Sequence, residues 1–246
     1  MKIKAPLLFL FVVSLAIISC GQHHELSGKV TDAKTDKPIQ GVTVSIKTKG
    51  QPDVILQTDS AGVYKFDTAQ IKLSQAYEII ASCPEKKYLA RKITSADGTI
   101  SKKVPFNFGL EYVGDLRALH FPKVEYDFDR ATFKETSKDS LNYLVELMKD
   151  NPTIRIQIDV HDAPNESRMH STPISQVRAQ TCMQYLLSQG IDSARVVAKG
   201  WGSLQFLPGC SPKDIEKMKT QEEKDAAEEA DRRTEFRVLS FDYKAK

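Results

Sequence analysis

Apolar and polar residues follow one another in three ways along the 246 residues of this chain, and each way predicts a different element. The first is an apolar block, Leu7 to Ile18, interrupted only by Ser14. The second is strict alternation. Val42, Val44 and Ile46 are separated by Thr43, Ser45 and Lys47, the period-two signature of a strand with one buried face. Turn-forming residues recur between such runs, at Asp36-Lys37-Pro38, Lys49-Gly50, Ser60-Ala61-Gly62 and Asp97-Gly98. Short strands at this spacing from Leu26 to about Phe108 predict an antiparallel β-sandwich.

The third way begins near Phe121, where strands and helices interleave. Val124 to Phe128 reads as a short strand. Thr136 or Ser137 can cap a helix whose Leu141, Leu144, Val145 and Met148 form one apolar stripe, and Asn151-Pro152 stops it. Ile154, Ile156, Ile158 and Val160 then alternate with Arg155, Gln157, Asp159 and His161, a strand with one buried and one polar face. Thr172-Pro173 offers a start for a second helix that buries Ala179, Cys182 and Leu186 and ends at Gly190. Val196 to Ala198 and Thr234 to Leu239 read as further strands. Between them, Ser211-Pro212 caps one charged helix running to Ala230 over the surface. The fold class expected is α+β in two domains. An N-terminal antiparallel β-sandwich precedes an α/β two-layer sandwich with a mixed sheet and helices on one face.

The apolar block at the start changes the picture of where the chain resides. It is too short for a comfortable span, which needs about 20 apolar residues. Lys2 and Lys4 precede it, and no acid occurs before Cys20, the arrangement of a secretory signal. Ile17-Ile18-Ser19-Cys20 resembles the bacterial lipobox. That resemblance implies removal of residues 1–19, acylation of Cys20 and a membrane partner held through the lipid. Gly21 after the cysteine implies the outer membrane as its home. Residues 20–25 then form the acylated cysteine and a tether in which His23 and His24 are solvated. The remaining divisions are 26–108 for the β-domain, 109–120 for a connector and 121–243 for the second domain.

Charge and cysteine content exclude more than they assign. Without Lys2 and Lys4, 33 of the 35 basic residues stand against 32 acidic ones, so no basic field exists to attract nucleic acid. Besides Cys20 there are Cys83, Cys182 and Cys210, an odd number that implies no disulfide framework. No cysteine spacing typical of a metal site occurs, and neither a metal nor a cofactor is expected.

Two further resemblances bear on function. Gly28-Lys29-Val30-Thr31-Asp32, Pro38-Ile39-Gln40-Gly41-Val42-Thr43-Val44 and Thr58-Asp59-Ser60-Ala61-Gly62-Val63-Tyr64-Lys65-Phe66 resemble the carboxypeptidase regulatory-like domain. This implies a sandwich without catalytic residues, used for spacing or protein contact. Tyr126-Asp127-Phe128-Asp129-Arg130-Ala131, Ile174-Ser175-Gln176-Val177-Arg178-Ala179, Gly190-Ile191-Asp192-Ser193-Ala194-Arg195-Val196, Gly200-Trp201-Gly202-Ser203 and Asp231-Arg232-Arg233-Thr234-Glu235-Phe236 resemble the OmpA-like family, in that family's order. The resemblance implies a domain that binds the peptide stem of peptidoglycan and ties an outer-membrane component to the cell wall.

Recognition of a diamino acid in that stem needs an arginine for its carboxylate and an acid for its ammonium. By resemblance the arginine is Arg178, in its Ser-x-x-Arg-Ala setting. The family's acid, in a His-Thr-Asp-like loop, falls on Ala163, with Asp162 one place early. The glycine and asparagine of that loop are replaced by Glu166 and Ser171. Either the loop is rearranged so that Asp162 or Glu166 serves, or binding is weakened or lost. Arg232 and Arg233 are further candidates for the anion, with structural salt bridging as their other reading. Asp129 is a candidate for ordering the loops or capping a turn.

Two rival classes follow from the same residues. His161, Asp162 and His170 share one loop, as a zinc or acid–base site would require. They lack a third ligand at familiar spacing and any nucleophile, so an enzyme is not expected. The other rival is a structural lipoprotein whose OmpA-like domain docks protein partners in an envelope or secretion complex instead of the wall.

Overall fold

The computed structural model describes residues 26–67, 76–95, 105–114, 118–119, 123–127, 129–164 and 168–245. The expected leader, Cys20, the tether, Asp97-Gly98, Phe121, Phe128 and Glu166 lie outside the described residues.

The N-terminal part is built on alternation. Strand β1 (Leu26–Asp32) pairs antiparallel with β4 (Val63–Phe66) and parallel with β7 (Phe108–Leu110). A second sheet has the order β3 (Val54–Gln57), β2 (Thr43–Thr48), β5 (Tyr77–Cys83), β6 (Tyr88–Ser95), all antiparallel. Val42, Val44 and Ile46 of the alternating run are buried together with Val30, Tyr64, Phe66, Ile79 and Phe108, so both sheets share one apolar core. The parallel β1–β7 pair corrects the expectation of a purely antiparallel arrangement. After β6 the chain returns beside β1 running in its direction, held by Phe106 N–H on the Ser27 carbonyl at 2.9 Å and Lys29 N–H on Asn107 Oδ1 at 2.9 Å. Gly62 must be glycine on two counts: its φ is 72°, and a Cβ would lie 2.5 Å from the Val30 carbonyl oxygen.

The C-terminal part is one mixed sheet of order β10 (Val196–Gly202), β9 (Arg155–His161), β11 (Arg233–Ser240), β8 (Ala118–Leu119). Strand β10 runs parallel to β9 and β11 antiparallel to it. Helices α1 (Lys138–Asp150) and α2 (Arg168–Ser188) cover one face. The apolar stripe Leu141, Leu144, Val145 and Met148 meets Ile156, Ile158, Val160 and Phe236 there, together with Ala179, Cys182 and Leu186 of α2. Close approach of α2 to the sheet depends on Gly200, where a Cβ would sit 2.1 Å from the Gln176 backbone nitrogen.

Several local expectations are corrected. Of the strand expected from Val124 to Phe128, the described residues Val124 to Asp127 form none; Tyr126 makes an isolated bridge to Phe133. The connector contains strand pairing, because β8 joins the edge of the second sheet through Leu119 and Phe236. Ser137 stands at the N-cap of α1 without capping it, since its hydroxyl accepts from Glu125 N–H at 2.8 Å. Helix α2 starts at Arg168, ahead of Thr172, and carries Pro173 inside it. The charged insertion is two helices, α3 (Pro212–Glu216) and α4 (Gln221–Asp231), the second opened by a Thr220–Glu223 capping box. It is also less solvated than its composition implies, because Ile215 and Ala227 bury themselves against Cys210.

The two parts touch through β6 and α1. Leu89 belongs to the C-terminal core. Buried Asn151, just past α1, accepts from Ala90 N–H at 2.6 Å and donates to the Ala90 carbonyl at 3.4 Å. Lys92 pairs with Asp150 at 3.0 Å.

Candidate functional site

A cleft of about 750 Å³ opens between Tyr126, Asp127 and Asp129, the start of α2, the end of β9 and the entry to β11, and α4. Its position follows from chain topology. Strand β9 delivers His161 and Asp162 at its C-terminal end, and β11 begins opposite with Arg233 paired to His161. Helix α2 is clamped to β10 by Gln176, which donates to the Ala198 carbonyl and accepts from Gly200 N–H, and by Ser175, which accepts from Gly202 N–H. Two positions past Gln176 stands Arg178.

Arg178 is fixed from three directions. Its Nη1 donates to Asp162 Oδ1 at 2.6 Å and its Nε to the Arg130 carbonyl at 2.9 Å, while its guanidinium carbon lies 5.0 Å from the Tyr126 ring centroid. The pair is unequally exposed, 13 % for the Arg178 side chain and 1 % for Asp162. Asp162 is further held by its own N–H on the Gly202 carbonyl at 3.0 Å. Beneath them, the Tyr126 hydroxyl sits against Cys182 Sγ at 3.1 Å and Thr234 Oγ1 at 3.2 Å, and burial pushes its ionisation far up.

The other expected residues occupy different places. Asp129, in the left-handed region at φ 51°, pairs with His170 Nε2 at 2.9 Å on the exposed rim. Arg232 is half-buried and meets Glu229 at 3.5 Å and Glu228 at 3.9 Å. Arg233 is held by Asp231 Oδ1 at 3.0 Å and Glu235 Oε1 at 2.7 Å, which fits its salt-bridging reading. Burial raises the Asp231 carboxyl, whose Oδ1 also accepts Leu207 N–H. Ala163, the position of the family's acid, is fully buried and carries nothing toward the cleft.

Periodicity gives no hint of what lies on the far side of β9. The alternation assigns Asp159 and His161 to a polar face, yet both are buried. Asp159 accepts from Trp201 Nε1 at 2.6 Å and Gln157 Nε2 at 2.7 Å and pairs with Arg237 at 3.1 Å. His161 lies parallel to Trp201, with centroids 6.4 Å apart, and neither ring nitrogen has a hydrogen-bond partner among the described residues. Burial, aided by the nearby Arg233 cation, lowers its ionisation to about 4. His161 and His170 therefore do not act as one ligand set. Among the described residues no group of three His, Cys, Asp or Glu side chains is placed to hold a metal.

Residues 125–221 match the OmpA family. This segment is OmpA-like. It runs from the Glu125–Asp127 stretch through Asp162 and Arg178 to the first residue of α4, so it contains both members of the central ion pair. No protein of curated function matches the chain. Similar solved structures include the peptidoglycan-associated lipoprotein from Burkholderia pseudomallei, 18 % identical over 48 % of this chain and 89 % of that one, with a TM-score of 0.39. The OmpA-like domain of FopA1 from Francisella tularensis is 11 % identical over 89 % and 94 %, with a TM-score of 0.38. The cell wall anchor of the T6SS from Pseudomonas aeruginosa is 15 % identical over 47 % and 75 %, with a TM-score of 0.36.

Proposed function

We propose that this protein is a non-enzymatic outer-membrane lipoprotein, anchored through acylated Cys20, whose OmpA-like domain binds the peptide stem of peptidoglycan and ties the membrane or an envelope complex to the wall. The observation that carries the reading is Arg178, a guanidinium held in place at the mouth of a cleft within the OmpA-like segment. A planar fork fixed in advance suits a carboxylate, because little side-chain freedom remains to be lost on binding. The lipobox-like Ile17-Ile18-Ser19-Cys20 supports the anchor. The first 108 residues then comprise the leader, the tether and a carboxypeptidase regulatory-like domain that acts as a spacer in the periplasm.

The full-length chain in mild detergent should co-sediment with isolated peptidoglycan sacculi, and Arg178→Ala should stay in the supernatant while unfolding at a similar temperature. A wild-type chain that stays in the supernatant removes the wall reading. The residue at the family's acid position, Ala163, favours a second reading in which this cleft docks an envelope protein partner instead; that reading takes over in the same event. Cys20→Ser should move the protein out of the membrane fraction of cells.

A further inference from the structure

The chemistry of the cleft turns on how Arg178 uses its donors. An arginine offers five N–H groups in a fixed fork. Here Nη1 is spent on Asp162 and Nε on the Arg130 carbonyl. Among the described residues Nη2 has no acceptor, and the side chain keeps 13 % of its surface open. One end of the fork is therefore available to an incoming anion while the other is held by the protein.

Asp162 is placed differently. Its side chain is 1 % exposed, its backbone is tied to Gly202, and its Oδ1 lies 2.6 Å from the guanidinium. A ligand ammonium would have to open the packing over the second oxygen, Oδ2, which is buried as well, or displace the guanidinium from Oδ1, and either costs free energy. Most other acids of the cleft also have partners. Glu125 bonds to Lys134 and Lys123, Glu229 to Lys123, and Asp129 meets His170 Nε2.

We propose, resting on the wall-binding reading above, that the cleft is a carboxylate receptor: Asp162 positions Arg178 and does not touch the ligand, so the ammonium of the stem diamino acid adds no affinity. This replaces the two-point recognition that the family resemblance implies with recognition at one point. It also accounts for Ala163, since a site that reads no ammonium needs no second acid there.

The test titrates the full-length chain with two synthetic stem peptides, identical except that the free side-chain amine of the diamino acid is acetylated in one. Calorimetry should return dissociation constants within about twofold of each other. Asp162→Asn, which keeps an oxygen for Nη1, should retain most of the affinity for both peptides, whereas Asp162→Ala should weaken both by roughly tenfold. Recovery in the asparagine variant separates positioning from general damage to the fold. A tenfold or greater loss on acetylation, or an Asp162→Asn variant that loses the free-amine peptide alone, overturns the proposal and leaves wall binding standing. The ammonium would then fall first to Asp127, whose carboxylate meets the Thr132 hydroxyl and, among the described residues, no cation. A wild type that binds neither peptide removes this proposal and the wall reading together.

Discussion

The two cores of this molecule are closed by different means. The N-terminal one is apolar nearly throughout, and the polar side chain buried at its edge, Thr58, is satisfied locally: its hydroxyl accepts Val42 N–H at 2.9 Å and donates to the Ile39 carbonyl at 2.7 Å. The C-terminal core is bordered by buried charge. Asp159, His161, Asp162, Arg195 and Asp231 all lie inside, along β9, at the start of β10 and at the entry to β11. Burying an ion requires full compensation by partners, which an apolar contact does not. The N-terminal sheets need only fit together. The C-terminal sheet needs its buried polar groups matched, and its mismatches among the described residues lie on β9, at the entry to β11 and along it, at both His161 nitrogens, Asp231 Oδ2 and Arg237 Nε. On the proposed wall-binding reading, that is how the fold keeps a charged group in place at some expense of stability.

The largest effect expected from breaking this contrast is at Arg195. Its Nε donates to the Ile154 carbonyl at 2.9 Å and its Nη2 to the carbonyls of Met148 and Asn151 at 2.8 and 2.7 Å. Arg195→Met should cost about 3–5 kcal/mol in chemical denaturation, because three buried carbonyls lose their donor. The N-terminal counterpart should be milder. Thr58→Val strands one N–H and one carbonyl and should cost about 2 kcal/mol. Equal losses at the two positions would remove the distinction between the cores.

The smallest effect sharpens the comparison through pH. His161 binds its proton more weakly when folded, at about 4 against an ordinary 6.5, so below 6.5 the unfolded chain takes up the proton first. The stability His161 contributes is present in full above 6.5 and drains as pH falls toward 4. At pH 5.5 the loss should be about 1.4 kcal/mol, and His161→Gln should flatten that limb of the stability–pH curve. An unchanged limb in the variant would place the acid sensitivity on another group.

Much of the fold was legible where apolar periodicity is local. The stripe of α1 and the alternations of β2 and β9 depend on neighbours within a few residues, and these elements stand where the pattern puts them. Misreadings arose where distant contacts decide. Val124 to Phe128 has the composition of a strand, yet Tyr126 spends its hydroxyl on Cys182 and Thr234. Thr172-Pro173 has the signature of a helix start, but α2 begins a turn earlier. In the candidate site, the sequence motif pointed to Arg178 and the nearest acid to Asp162, and the two do meet. The burial of Asp162 and the isolation of His161 could not be read from the chain, since both depend on β10 and β11 closing over the end of β9.

Pro173 gives α2 two mechanical regimes. Lacking an N–H, it removes the bond that would tie the first turn back to the Met169 carbonyl. The turn carrying His170 is thus held by fewer rungs than the turn carrying Arg178, which Gln176 and Ser175 bolt to β10. One helix therefore supplies the cleft with a rigid post and a compliant lip.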